Sequence, residues 1–270
     1  VDFPVEALVD EQRLERRGVT CDHELLPRTS VRRDERFDGE INPFEPMSRH
    51  TTYRIGGPAR YFARVHSVGA LARVLEACKA MGEEWYIVGR GSNLLVADEG
   101  VDAAVIVLGR DFRSMRYDEE KSRLMLGAGV PLSAAVQEAF RRSLAGLEFA
   151  VGTPGSVGGA LRMNAGSRDE WLGARVESVT SFSAEGGLVR RHGSEIEWGY
   201  RCSSFPSDEI LVECELNMEP ADPFYIRGKM EASLKRRKAT QPLRQPSCGS
   251  VFKNPEGASA GDLIERAGLK

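Results

Sequence analysis

The sequence predicts an α+β fold, and three of its features carry that expectation. From Ser48 onward, short apolar runs of strand length alternate with segments whose apolar residues recur at helical spacing. Several of the strand-like runs end directly in glycine clusters. Strand and helix signals are also interleaved along the chain, with a break near Glu219-Pro220 between the last strand and a basic helix.

The elements follow in order. Residues 1–46 are charge-rich, with Glu15-Arg16-Arg17 and Arg32-Arg33-Asp34-Glu35-Arg36 clusters and weak periodicity, and are expected to form a loosely packed extension. Residues 69–81 place Leu71, Val74, Leu75 and Cys78 on one helical face. Trp85 to Val88 is a short aromatic run ending in glycine, expected as a buried strand; 101–108 and 123–126 read similarly. Residues 132–144 give a second helix, with Val136, Ala139 and Phe140 together. Residues 176–182 and 188–191 form a hairpin about Glu185-Gly186-Gly187, and 210–218 is a further strand. Residues 224–238 make a helix that is basic toward its C-terminal end, and 257–269 read as one more helix.

A net charge of −3 gives no reason to expect a nucleic-acid or anionic-membrane partner. No apolar run approaches the roughly 20 residues of a membrane helix, and the mixed-charge start lacks the layout of a signal peptide. The five cysteines are widely spaced without a CxxC pair, which indicates neither a zinc site nor a disulfide scaffold and fits a reducing cytoplasm. His23, His50, His66 and His192 show no metal-ligand or triad spacing, so no metal is expected. The chain opens on Val1 and stops at Lys270 directly after a helical segment, so a fragment is expected.

The first chemical signal is three glycine clusters: Gly89-Arg90-Gly91-Ser92-Asn93, Gly127-Ala128-Gly129, and 152–159 with four glycines in eight residues. Glycine lets the backbone turn sharply and aim successive N–H groups at one phosphate. None is a Rossmann or Walker A loop. Together, with Arg54 to Ala59 as a fourth such place, they suggest an extended dinucleotide. Downstream, Arg201 in the GYR run reads as a surface charge as readily as a functional one. The tight loop Gly249 to Pro255 combines a hydroxyl, a cation and an amide; Ser250 lacks the G-x-S-x-G surroundings of a hydrolase nucleophile and could equally be a helix cap. Cys248 reads as a small buried thiol.

One resemblance gathers these motifs. The string HTTYRIGGPA (50–59) is followed by VGRGSNLLVADEG (88–100), GAGVP (127–131), GLEF (146–149) and GTPGSVGGALRMNAG (152–166). GYR (199–201), QPLRQPSCGSVFKNP (241–255) and AGDLIERAGLK (260–270) complete the series. In order and approximate spacing it resembles the UDP-N-acetylenolpyruvoylglucosamine (MurB) reductases, by the length of its GYR region the shorter subtype lacking a tyrosine loop.

The resemblance implies a vanillyl-alcohol oxidase/PCMH-like FAD-binding domain over 47–219, in two α+β subdomains of about 47–108 and 109–219. An incomplete C-terminal substrate-binding subdomain would begin at 220. It implies non-covalent FAD reduced by NADPH, and reduction of UDP-N-acetylglucosamine enolpyruvate to UDP-N-acetylmuramate for peptidoglycan synthesis, by a cytoplasmic monomer. Carried over by position, Arg201 would steady charge on the substrate and Ser250 would protonate it. Arg54, Gly56, Gly57, Gly89, Arg90, Gly91, Ser92, Asn93, Gly127, Gly129, Gly152, Thr153, Pro154, Gly158 and Gly159 would hold the cofactor. Tyr200, Lys238 (with Arg237 beside it), Lys253 and Asn254 would meet the substrate. The family's catalytic glutamate has no counterpart within these residues, so turnover by this length of chain is not expected. Two alternatives stay open: a truncated flavin-binding remnant, or another flavin oxidoreductase of the same fold, which would lack the GYR and GSVFKNP pair.

Overall fold

The computed structural model describes residues 37–167, 169–241 and 245–269. Its first sheet holds β1 (Gly39–Pro46), β2 (Pro58–Val65), β3 (Trp85–Ile87) and β4 (Val101–Leu108) in the order β1-β2-β4-β3. β1 runs antiparallel to β2, whereas β2, β4 and β3 are parallel. Within 37–46 the expected extension is therefore corrected to a strand; residues 1–36 lie outside the described residues. Pro43 and Pro46 hid it, because proline cannot donate to a ladder, but β1 is an edge where that costs little.

Helix α1 (Val68–Met81) joins β2 to β3. Ser67 caps it by accepting the Ala70 N–H at 3.3 Å, Gly82 at φ 67° ends it, and Leu71, Val74, Leu75 and Cys78 are buried as the spacing predicts. β4 sits inside the parallel sheet and is buried from Ala103 to Leu108. β3 corrects a second expectation: it lies at the sheet edge, and Tyr86 and Ile87 are 51% and 38% exposed.

The second sheet is antiparallel, in the order β5 (Met115–Asp118), β6 (Arg123–Gly127), β12 (Ile210–Asn217), β8 (Val176–Ser183) and β9 (Gly187–His192). β5 (Met115–Asp118) and β6 (Arg123–Gly127) precede α2 (Leu132–Arg141), β7 (Leu144–Ala145) and the short α3 (Val157–Arg162). α2 stops before the expected Leu144 because Ser143 turns left-handed at φ 58°. β8 (Val176–Ser183) and β9 (Gly187–His192) form the expected hairpin, β10 (Trp198–Gly199) pairs with β11 (Cys202–Ser203), and β12 (Ile210–Asn217) inserts between β6 and β8. β13 (Glu219–Pro220) pairs with β7. The basic helix α4 (Pro223–Thr240) rests against α2 and the turn Glu148–Ala150, and α5 (Ala260–Arg266) follows. One apolar core spans both sheets: Leu71 and Ile106 share it with Leu124, Leu132, Leu161, Ile210 and Leu216. A smaller cluster, with Met47, Phe62, Val88 and Val105, fills the other face of the parallel sheet.

Candidate active site

A cleft opens where the two sheets meet. Ile87, Val88, Val107 and Leu108 from the parallel sheet form one wall. Leu211, Ala128 and Gly129 from the antiparallel sheet, with Ser156, Gly158, Gly159 and Arg162 around α3, form the other. The edge strand β3 thus exposes Ile87 into this opening. Backbone bonds seat the glycine loops on one another: Gly158 N–H donates to the Ala128 carbonyl at 2.8 Å, and Val157 N–H to that of Val130 at 2.9 Å. Ser156 accepts the Gly159 N–H at 3.3 Å and so starts α3 despite two glycines within it. A Cβ on Gly89 would overlap the Ser156 hydroxyl. Gly91, at φ 60°, is the stricter case, since any side chain there would also collide with the His50 carbonyl.

Of the expected cofactor residues, Gly89, Arg90, Gly129, Gly158 and Gly159 line the cleft. Gly127 backs its loop by donating to Ser114 at 2.9 Å. Gly56 and Gly57 stand outside the lining, where Gly57 binds Ala97 at 2.8 Å and holds the 97–100 turn. Ser92 and Gly155 bring the first and third glycine loops side by side. Gly152, Pro154, Asn93 and Arg54 are exposed, the last at φ 60°. Thr153 accepts a hydrogen bond at 3.2 Å from Arg237, whose guanidinium is half-buried and whose pKa burial lowers. Lys238, one residue on, is exposed.

The downstream motifs converge on the same region. Asn164, buried at φ 41°, donates to the Gly199 carbonyl and accepts the Gly173 N–H, both at 3.0 Å, and so fixes the GYR turn. Arg201 is itself left-handed at φ 58°; its guanidinium lies 5.4 Å from the Tyr200 ring centroid and 3.4 Å from the Gly166 carbonyl. Strain of this kind, on the order of 1–3 kcal/mol, collects at functional sites. Tyr200 Oη accepts the Asn254 N–H at 3.4 Å, while Asn254 Oδ1 is occupied by the Ala260 N–H at 3.0 Å, where α5 begins. Thr52 Oγ1 donates to the Ser247 carbonyl at 2.6 Å. The neighbouring Tyr53 hydroxyl bonds Cys248, a pairing that raises the tyrosine's pKa. Ser250 therefore lies exposed between two anchors, Ser247 and Asn254, with Lys253 exposed beside it.

Three further residues were not among the expected ones. Asn164 carried a signal, since asparagine tolerates positive φ. Arg162 lines the cleft and donates to the Phe205 and Pro206 carbonyls at 2.9 Å, its pKa lowered by burial. Arg113 lines the cleft from the loop before β5. An apolar wall facing a glycine cradle, with Arg90 and Arg113 at hand, fits a flat ring system joined to a phosphate group.

A sequence-family profile described as an FAD binding domain matches residues 59–191. A second, described as the UDP-N-acetylenolpyruvoylglucosamine reductase C-terminal domain, matches residues 241–270. The chain is 43% identical over 244 residues to a UDP-N-acetylenolpyruvoylglucosamine reductase of Heliobacterium modesticaldum, covering 90% of this chain and 76% of that one. It is 42% identical to one from Symbiobacterium thermophilum, covering 87% and 76%. Among solved structures, the corresponding reductase from Thermus caldophilus superposes with a TM-score of 0.74 at 36% identity, over 86% of this chain and 80% of that chain. The 6-hydroxy-D-nicotine oxidase of Arthrobacter nicotinovorans, at TM-score 0.55 and 21% identity over 68% of this chain and 43% of its own, is similar in fold alone.

Proposed function

The chain belongs to the UDP-N-acetylenolpyruvoylglucosamine reductase family, and from that premise we propose that it reduces UDP-N-acetylglucosamine enolpyruvate to UDP-N-acetylmuramate, with FAD as cofactor and NADPH as reductant. The single observation that carries this reading is the bracketing of Ser250: Thr52 ties its loop to the glycine cradle, and Tyr200 ties it to the turn bearing Arg201.

FAD, when bound, supplies the hydride chemistry; the protein holds it and steers charge. Gly89, Gly91, Gly158 and Gly159 would let the backbone approach its pyrophosphate, with Arg90 as counter-charge, and Ile87 and Leu211 would give its ring an apolar border. Hydride addition to one carbon of the enolpyruvyl double bond leaves enolate-like charge spread toward the carboxylate. Arg201 stabilises that charge, and Ser250 gives its hydroxyl proton to the other carbon, so hydride and proton together saturate the bond. Lys238, with Arg237 beside it, would meet the nucleotide's diphosphate, and Tyr200, Lys253 and Asn254 would touch the substrate. As part of the same proposal, the product class points to peptidoglycan synthesis, and we take the enzyme to act as a monomer in the cytoplasm, as the family resemblance implies. Separately, no helix among the described residues is long and apolar enough to cross a membrane.

The test is to purify the native gene product that contains residues 1–270 with FAD bound, reduce it anaerobically with NADPH and then add the enolpyruvyl sugar nucleotide. Prompt return of the oxidised-flavin absorbance is the expected result. Flavin that stays reduced in the presence of substrate counts against the assignment.

A further inference from the structure

Thr52 makes two bonds that separate two jobs. Its backbone N–H donates to the Gly91 carbonyl at 3.1 Å, inside the cofactor cradle. Its hydroxyl has one hydrogen and two acceptors in reach, Ser247 at 2.6 Å and Gly91 at 3.3 Å. The shorter, unshared contact to Ser247 takes that hydrogen, since Gly91 already receives the amide. One residue therefore reads the position of the glycine cradle with its backbone and sets the position of Ser247, three residues before Ser250, with its side chain.

We propose that Thr52 is a positioning residue for the half of the reaction in which the substrate reoxidises the flavin, and that it registers the Ser250 loop against the flavin cradle. The inference rests on Ser250 being the proton donor. A proton donor displaced by about 1 Å loses on the order of 100-fold in rate. Holding Ser250 through a residue that also touches the cradle ties donor placement to the site of hydride delivery. Ser250, Val251 and Phe252 are exposed, so the placement of this loop depends on its ties at Ser247, Cys248 and Asn254, of which the Thr52 bond to Ser247 is the one that reaches the cradle carrying Gly91.

Thr52→Val is the selective variant, since it keeps the amide bond to Gly91 and the branched shape but deletes the bond to Ser247. Three quantities are measured: FAD affinity by fluorescence, flavin reduction by NADPH, and flavin reoxidation by the enolpyruvyl substrate. Hydrogen exchange across 245–250 is followed in parallel. The expected result is faster exchange in that loop and reoxidation slowed roughly 10- to 100-fold, with FAD affinity and reduction unchanged and Thr52→Ser restoring the rate. Thr52→Val reoxidising at the wild-type rate while Ser250→Ala is blocked would overturn the proposal. So would a parallel loss of FAD affinity and reduction, which would make Thr52 a prop of the cradle. Normal reoxidation in Ser250→Ala would be a different failure, that of the proton-donor assignment itself.

Discussion

Arg201 and Gly91 show how much a single position contributes here. Arg201 holds a left-handed conformation that asparagine accepts with little strain. Arg201→Asn should therefore keep stability within about 1 kcal/mol of wild type while lowering turnover ~100-fold through loss of the cation. A denaturant melt and steady-state kinetics on one preparation would check both halves. Gly91→Ala should act the other way, since the new methyl meets the His50 carbonyl and forces the loop open. FAD affinity, read by fluorescence quenching, should fall before any catalytic constant is measured. The sequence announced Gly91 through its cluster, but nothing local could announce Thr52, whose partner Ser247 is brought near only by tertiary folding.

At the scale of elements, legibility followed burial. β4 and α1 were legible because a continuous apolar run and a clean helical stripe both reflect a core neighbour. β1 was masked by its edge prolines, and β3 was misread because it is an edge strand, with Trp85 packed on the core but Ile87 turned to the cleft and Tyr86 exposed. α3 has two glycines in six residues, so propensity argues against it; the Ser156 cap and its seat on the Ala128 loop make it. Strand β12 also sets thiol reactivity. Cys214 within it and Cys78 in α1 are buried, which raises both thiols, that of Cys78 to about 11. Cys202 in β11 is exposed. A thiol reagent at about pH 8 should label Cys202 in the native protein and reach Cys78 and Cys214 only on unfolding, as peptide mapping would show.

The β8–β9 hairpin and the turn before β12 share an ion pair that links element to solvent conditions. Glu209 is buried and held below the usual carboxylate range, first by its hydrogen bond from Arg191 at 2.7 Å and then by Ser181, against the opposing effect of burial. A depressed carboxyl contributes stability that is full above the unfolded value of about 4.3 and is lost as pH falls through the folded value. Thermal midpoints measured from about pH 5 to pH 3 should drop in wild type and drop less steeply in Glu209→Gln, which has no carboxylate to protonate.

For the whole molecule, a ligand seated in the cleft touches both sheets and stiffens their junction. At ~100-fold excess over its dissociation constant, FAD adds about 2.7 kcal/mol, or roughly 5–10 °C in a chain this long. Calorimetry should show one transition moving as a unit, because the sheets share a core through Ile106, Leu124 and Ile210. Two transitions with only one shifted would mean that the sheets unfold apart.

The place of β12 between β6 and β8 has a consequence for synthesis. The hairpins β5–β6 and β8–β9 are each closed by nearby residues and can form while the chain is still being made. The strand that joins them, pairing Glu213 with Gly127 across a long stretch of chain, comes later, and it carries Leu211, the last residue of the cleft lining to leave the ribosome. Until then β6 presents an unpaired edge, and the nascent chain offers a dinucleotide only part of its pocket. A ribosome arrested just past β9 should hold a chain that captures little FAD. One arrested far enough on for residue 217 to clear the exit tunnel should hold a chain that captures it, so that cofactor loading is timed by the emergence of a single strand.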